Sequence, residues 1–206
     1  RHTRLAAVSW ARDVYKRQDN TDPIERLFIQ WGFSQVFPAK TMCAHVTTWN
    51  KNSSVKFRTD VAMMCKLGFD IKLADMSKDD ETYCRTAVQN YNRLKPVVLE
   101  GDMYRLVSPY GSNHTSTMYV GKDKDKAVVF AFDIHPRYAE KTLPVRLQGL
   151  DADKMYRVKE INLMPGANSS LSGNGEVFSG EFLMNVGLNL FTTQQLNSRV
   201  IEVVAE

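Results

Sequence analysis

DNTDPIERLFIQWGFSQVFPAKTMCAHVTTWNKNSSVKFRTDVAMM, residues 19–64, decides the fold class. Asp22 can cap a helix, Pro23 suits the first helical position, and Glu25 stands three residues after Asp22, as a capping box requires. Ile24, Leu27, Phe28 and Trp31 then recur at helical spacing, and Gly32 marks the end of that helix. Ser34–Phe37 reads as a short strand stopped by Pro38, and Thr41–Val46 continues it towards the polar loop TTWNKNSS. Ser54 caps a second helix along Val55, Arg58, Val61, Ala62 and Cys65, closing at Leu67-Gly68. Helix, strand, polar loop, helix is the order of consecutive βα units in a parallel sheet, with polar residues gathered where strands end.

Working outward, Phe69–Leu73 is the next strand, and Ser77 with Asp80 opens a third helix that Pro96 closes. Near Glu100-Gly101 the character changes. Short β-rich runs follow at Met103–Val107, Thr115–Val120, Ala127–Ile134, Thr142–Leu147, Met155–Ile161, Gly180–Val186 and Arg199–Val204, separated by Gly- and Asp-rich turns. Seven such runs in about a hundred residues read as an antiparallel β-sandwich. The chain therefore divides into 1–18, 19–99 and 100–206.

Charge and composition exclude several classes of function. Net charge is +4, yet residues 1–18 carry five basic side chains against Asp13 alone, and the rest of the chain has 22 basic and 22 acidic side chains. The body is neutral, so a nucleic-acid partner has no electrostatic footprint. No apolar run approaches a membrane span, so no membrane partner is expected. The leader RHTRLAAVSWARDVYKRQ lacks a signal-peptide core, and it reads as foreign to the fold or disordered. Cys43, Cys65 and Cys84 form no CxxC pair, and His2, His114 and His135 are scattered without ligand spacing. Neither a disulfide framework, a zinc site nor any other metal is expected.

Several motifs occur together in one order: DNTDPIERLFIQWG, MCAHVTTWN, KFRTDVAMMCKLGFDI and LEGDMYRLVSP. In that order they resemble the C-terminal part of glycoside hydrolase family 36 α-galactosidases, the melibiases. The resemblance is collinear from Asp19 to Glu206. It implies an α/β part followed by an all-β part: the last βα units of an incomplete (β/α)8 TIM barrel, then a C-terminal antiparallel β-sandwich. It further implies a retaining glycosidase acting on galactoside oligosaccharides of the raffinose and melibiose type, without metal or organic cofactor. A homo-oligomer of the intact enzyme is compatible with it, and the compartment is left open.

Retaining hydrolysis needs two carboxyl groups about 5–5.5 Å apart across the scissile bond. The family's acid/base aspartate carries over to Asp19, with Asp22 as the fallback. Read from the residues alone, Asp-Asn-Thr-Asp-Pro is a helix start, and both readings hold if Asp22 caps while Asp19 faces the sugar. The family's Lys-Trp-Asp nucleophile motif does not occur in these residues, so this polypeptide by itself is expected to be inactive. His45, Trp49 and Asn50, on the loop at the same end as Asp19, are candidates for sugar contact: an aromatic plane for the apolar face of galactose and polar groups for its hydroxyls. Arg58 heads the second helix and can pair with a carboxylate there.

A rival reading makes residues 101–206 a non-catalytic carbohydrate-binding or structural module. Such a module exposes a planar aromatic row, and this segment contains no Trp. Incomplete barrel units carry their own expectation: an exposed apolar patch and an open sheet edge within residues 19–97.

Overall fold

The computed structural model describes residues 20–49 and 52–206. Helix α1 spans Pro23–Phe33. Asp22 Oδ1 accepts the amides of Ile24 (2.9 Å) and Glu25 (3.0 Å), satisfying two N–H groups that the helix cannot. The helix runs one residue past Gly32. Ser34–Phe37, read above as a strand, is instead a turn, with the Val36 and Phe37 amides donating to the Phe33 carbonyl. The turn prevails because Ser34 is held at both ends: its hydroxyl donates to the Trp31 carbonyl and accepts from Arg105 Nε at 2.8 Å.

Strand β1 (Cys43–Thr47), helix α2 (Val55–Ala62) and strand β2 (Lys66–Asp70) form a βαβ unit, with β1 and β2 parallel from Cys43↔Lys66 to Thr47↔Asp70. Helix α2 therefore stops earlier than its apolar periodicity suggests. Cys65 is core, and Leu67-Gly68 lies in a strand rather than at a helix end. Helix α3 (Lys78–Glu100) passes through Pro96 and ends at Gly101. Proline removes one backbone donor and crowds the preceding turn, but Leu94, Val97 and Val98 on either side are buried and hold the last turn in place.

One residue after α3 the second sheet begins. Its strands are β3 (Asp102–Val107), β4 (His114–Val120), β5 (Lys126–Asp133), β6 (Met155–Ile161), β7 (Val177–Ser179) and β8 (Asn197–Ala205). They pair antiparallel in the order β3-β4-β5-β8-β6-β7. Thr142–Leu147 supplies only an isolated bridge, Val145↔Leu188, and residues 180–185 form helix α4 (Gly180–Asn185), capped by Ser179. Leu183 on that helix is fully buried.

The expected sandwich is thus a single six-stranded sheet among the described residues. Tyr119, Val128, Phe130, Phe132 and Val200 point into a core shared with α1, α2 and α3. Their neighbours Met118, Val120, Val129, Ile201 and Val203 point into a second core closed by α4 and the long connections. Strand alternation sends successive side chains to opposite faces, and both faces are apolar because helices cover one and loops the other. A strand pattern alone does not say whether the covering layer is a sheet or a helix.

A polar hub pins the two halves together. Asp60 of α2 is fully buried. Its carboxylate accepts from Lys56 Nζ (2.6 Å), Tyr83 OH (2.9 Å), Ser198 Oγ (2.7 Å) and Asn162 Nδ2 (3.1 Å). Lys56 also donates to the Ser198 carbonyl at 2.8 Å, and Arg93 pairs with Glu202.

The expected apolar patch and open edge are both present. Between α1 and the loop before β4 lies an apolar groove of about 710 Å³, lined by Phe28, Ile29, Gly32, Phe33, Val36 and Tyr110 among others. Val36 is 77% exposed. Strands β1 and β2 pair only with each other among the described residues, whereas parallel sheets occur almost only with several strands and both faces covered.

Candidate functional site

In the βαβ unit, the C-terminal ends of β1 and β2 lie side by side, at Thr47 and Asp70. Polar groups collect there. Burial in the helix-covered layer pushes the Arg58 guanidinium below its ordinary value, and Asp80 partly offsets this. Arg58 donates through one terminal nitrogen to the Thr47 carbonyl, which fixes the end of β1. Its Nε donates to the Ser54 carbonyl at 3.4 Å, so the helix head and the strand end are tied together. A cavity of about 200 Å³ opens beside them, lined by Thr47, Thr48, Arg58, Ile71, Asp75 and Asp80 among others. The Arg58 contact is a carbonyl rather than the carboxylate partner expected from sequence.

Just past β1, Trp49 is 61% exposed and its indole N–H donates to Thr21 Oγ1 at 2.9 Å. This bond joins the start of α1 to the loop after β1. The N-terminal acidic segment and the aromatic loop are therefore neighbours in space, 28 residues apart in sequence. The ring is held at its nitrogen edge, and the residue as a whole stays exposed. Asp22 serves as the cap of α1, and its own amide donates to Asn20 Oδ1 at 2.9 Å. Asp19 and Asn50 lie outside the described residues.

His45 is not on the loop. It sits in the middle of β1, opposite Gly68 of β2, with its ring lying across that glycine. A Cβ at position 68 would come within 2.3 Å of His45 Cδ2, so the ring's position depends on the missing side chain. Two residues of strand separate it from Thr47, or roughly 6–7 Å at the usual rise. His45 thus stands below the strand ends, exposed on the face of β1 opposite the buried Ala44 and Val46.

The structure brings together Asp22, Thr21 and Trp49, and sets His45 deeper on the same strand pair. The Thr21–Trp49 bond was invisible in sequence, since nothing in residue spacing pairs a threonine before a cap with a tryptophan after a strand.

Comparison with known proteins gives a consistent result. A family model described as Melibiase matches residues 6–101, and one described as the glycosyl hydrolase family 36 C-terminal domain matches residues 114–203. The first match begins inside the leader set apart above on its charge. Among curated relatives, alpha-galactosidase 2 of Hypocrea jecorina is 34% identical over 189 residues, covering 89% of this chain and 24% of the relative. Alpha-galactosidase 1 of Pediococcus pentosaceus is 30% identical over 174 residues, covering 82% of this chain and 22% of the relative. Among solved structures, the chain is similar to the GH36 α-galactosidase AgaB from Geobacillus stearothermophilus, with a TM-score of 0.79 and 28% identity over 91% of this chain and 25% of that one. A variant of AgaA from the same organism, solved in complex with raffinose, gives a TM-score of 0.78 at 26% identity, over 91% of this chain and 25% of that one. The chain spans about a quarter of the length of the relatives it matches.

Proposed function

The chain belongs to glycoside hydrolase family 36, and from that premise we propose that it is a portion of a retaining α-galactosidase that releases terminal α-galactosyl residues from oligosaccharides. The observation that carries this reading is the Trp49–Thr21 hydrogen bond at the C-terminal ends of two parallel strands. It fixes an exposed aromatic plane beside the segment that holds Asp19, at the end of the strands where (β/α)8 enzymes place their chemistry.

In this reading β1 and β2 are the last strands of a (β/α)8 barrel, and residues 100–206 form its C-terminal β domain. The open edges of the strand pair and the uncovered groove on α1 support the barrel. The α1 face at positions 28, 29, 32 and 33, continued by Val36 of the turn that follows, is apolar and has the spacing of a helix-packing seam. The helix of a preceding βα unit fits it. The second domain supports the barrel rather than binding sugar independently, because one face of its sheet is already committed to α1, α2 and α3.

Asp19 acts as general acid to the leaving oxygen and then as base towards water. Asp22 caps α1. Trp49 stacks on the apolar face of a sugar ring, and Asn50 binds a hydroxyl. The nucleophile is supplied by sequence beyond these residues. His45 is too far below the strand ends to share that layer, and its role is to fill the space over Gly68.

The test uses p-nitrophenyl α-galactoside with two proteins. One is the 206-residue chain, and the other is a full-length family 36 enzyme in which these residues replace the matching quarter. No turnover is expected from the first. In the second, Asp19→Ala should lower kcat by roughly 10²–10⁴-fold, while Trp49→Ala should act mainly on KM. Turnover by the short chain that Asp19→Ala abolishes would place the nucleophile within it and overturn the proposal.

A further inference from the structure

Arg58 takes no part in the chemistry assigned above, yet its guanidinium is committed to two backbone carbonyls. One terminal nitrogen donates to the carbonyl of Thr47, the last residue of β1. Nε donates to the carbonyl of Ser54 at 3.4 Å. Ser54 is the cap of α2: its hydroxyl accepts the Phe57 amide at 3.1 Å, and its carbonyl also accepts the Arg58 amide at 3.2 Å. Thr47 and Ser54 flank residues 48–53, so one side chain holds both ends of the stretch that carries Trp49. The planar guanidinium suits this task, because its rigid fork of donors meets two acceptors at once, whereas an ammonium is a single point.

The surroundings keep the fork in place. Burial disfavours its charge, and Asp80 in the first turn of α3 favours it. Asp80 and Asp75 line the cavity of about 200 Å³ that Arg58 shares with Thr47 and Thr48. The side chain is thus set between the heads of two helices and the end of a strand.

Trp49 stands two residues beyond Thr47, so at most about 7 Å of chain separates it from the clipped residue. Its indole N–H donates to Thr21 Oγ1 at 2.9 Å. Such a bond is lost once donor and acceptor part much beyond about 3.2 Å, so a shift of the β1 end by about half an ångström is felt at the ring.

We propose that Arg58 is a positioning residue, which clips Thr47 to Ser54 and so sets the Trp49 indole against Thr21 in the orientation that meets the sugar. The sugar-facing role rests on the reading of Trp49 proposed above; the placing of the indole stands on Arg58's own bonds.

Two measurements separate these. The first follows the Trp49 indole N–H by NMR in the 206-residue chain, its signal identified by its loss in Trp49→Phe. Arg58→Met removes both donors, and the indole hydrogen should then exchange with solvent about two- to tenfold faster, the worth of one hydrogen bond. Arg58→Lys keeps the charge and much of the stem but not the fork, and it should loosen the indole in the same direction. It also decides the matter should Arg58→Met fail to fold. An indole as protected in Arg58→Lys as in the unaltered chain overturns the proposal, and so does unchanged protection in folded Arg58→Met.

The second measures hydrolysis of p-nitrophenyl α-galactoside by the full-length family 36 enzyme that carries these residues. Arg58→Met should raise KM roughly two- to tenfold, the worth of a well-placed aromatic plane, with little change in kcat. It should add nothing to KM once Trp49→Ala is present, because the two substitutions remove one interaction. Effects on KM that add in the double variant overturn the proposal, since Arg58 would then act elsewhere. The two failures are distinct: a loosened indole with KM unchanged in Trp49→Ala overturns the sugar contact and leaves the clip, whereas an unmoved indole with KM raised in Trp49→Ala overturns the clip and leaves the contact.

Discussion

Asp60 shows what a single buried charge can demand of its surroundings. Four donors from α2, α3, the residue after β6 and the start of β8 converge on it. Removing one partner of such a pair leaves the other uncompensated, and the expected loss for Asp60→Ala is about 3–5 kcal/mol in urea unfolding. The paired replacement Lys56→Met with Asp60→Leu should lose less, since both desolvation penalties go together. At the head of α1, Asp22→Ala removes a cap that serves two amides and should lose about 1 kcal/mol in the same assay. The cysteines offer a test by pH. Burial pushes the Cys65 thiol up to about 12 and the Cys84 thiol up to about 11. Both should resist thiol-specific reagents in the native chain at pH 8 and react once it is unfolded. Their raised values favour the protonated native state, so the stability they contribute is complete below the unfolded thiol's ordinary 9.0 and is lost as pH climbs towards 11 and 12. Denaturant midpoints that do not fall between pH 9 and 11 would contradict this.

Among the elements, the ones legible in sequence were those whose signals are local. Asp22-Pro23, Ser54 and Ser77 cap α1, α2 and α3 as their spacing implies. Strands β3, β4, β5, β6 and β8 fall within about two residues of their apolar runs. The misreadings share a physical cause, which is that distant partners decided the outcome. Ser34–Phe37 has strand composition but is bent by Arg105, 71 residues away. Residues 180–185 form a helix because Ser179 accepts the Phe182 amide and Leu183 reaches the far core. The same limit applied to the site. Asp22 and Trp49 could be named from residue type, but the hydrogen bond that sets Trp49 beside Thr21 could not. His114 looked isolated because Asp133 meets it only through the β4–β5 register. At this scale the groove on α1 makes a prediction. The half-buried Phe28, Ile29 and Phe33 of α1, with the exposed Val36 and Phe37 of the turn that follows, should cause the chain to self-associate as its concentration rises. Ile29→Asp with Phe33→Asp should return it to a monomer in light scattering without changing its far-ultraviolet circular dichroism.

For the whole molecule, the two halves drawn from composition share one hydrophobic core. Tyr119 of β4 donates its hydroxyl to the Met64 carbonyl at 2.7 Å, and Phe57 of α2 meets Phe132 of β5 edge-on at 5.6 Å. Unfolding followed by tyrosine fluorescence and by far-ultraviolet circular dichroism should therefore give one coincident transition. Two separated transitions would mean that the halves are independent. The connection between them is Gly101 alone. A Cβ there would stand 2.3 Å from the Val97 carbonyl oxygen and 2.5 Å from that of Val120, so the last turn of α3 is butted directly against the sheet with no slack. The consequence concerns modularity. Where composition changes is not where the protein can be cut. A gene fusion or exchange made at residue 101 would transfer a sheet stripped of its helical cover, and the inherited unit is the βαβ layer and the sheet together.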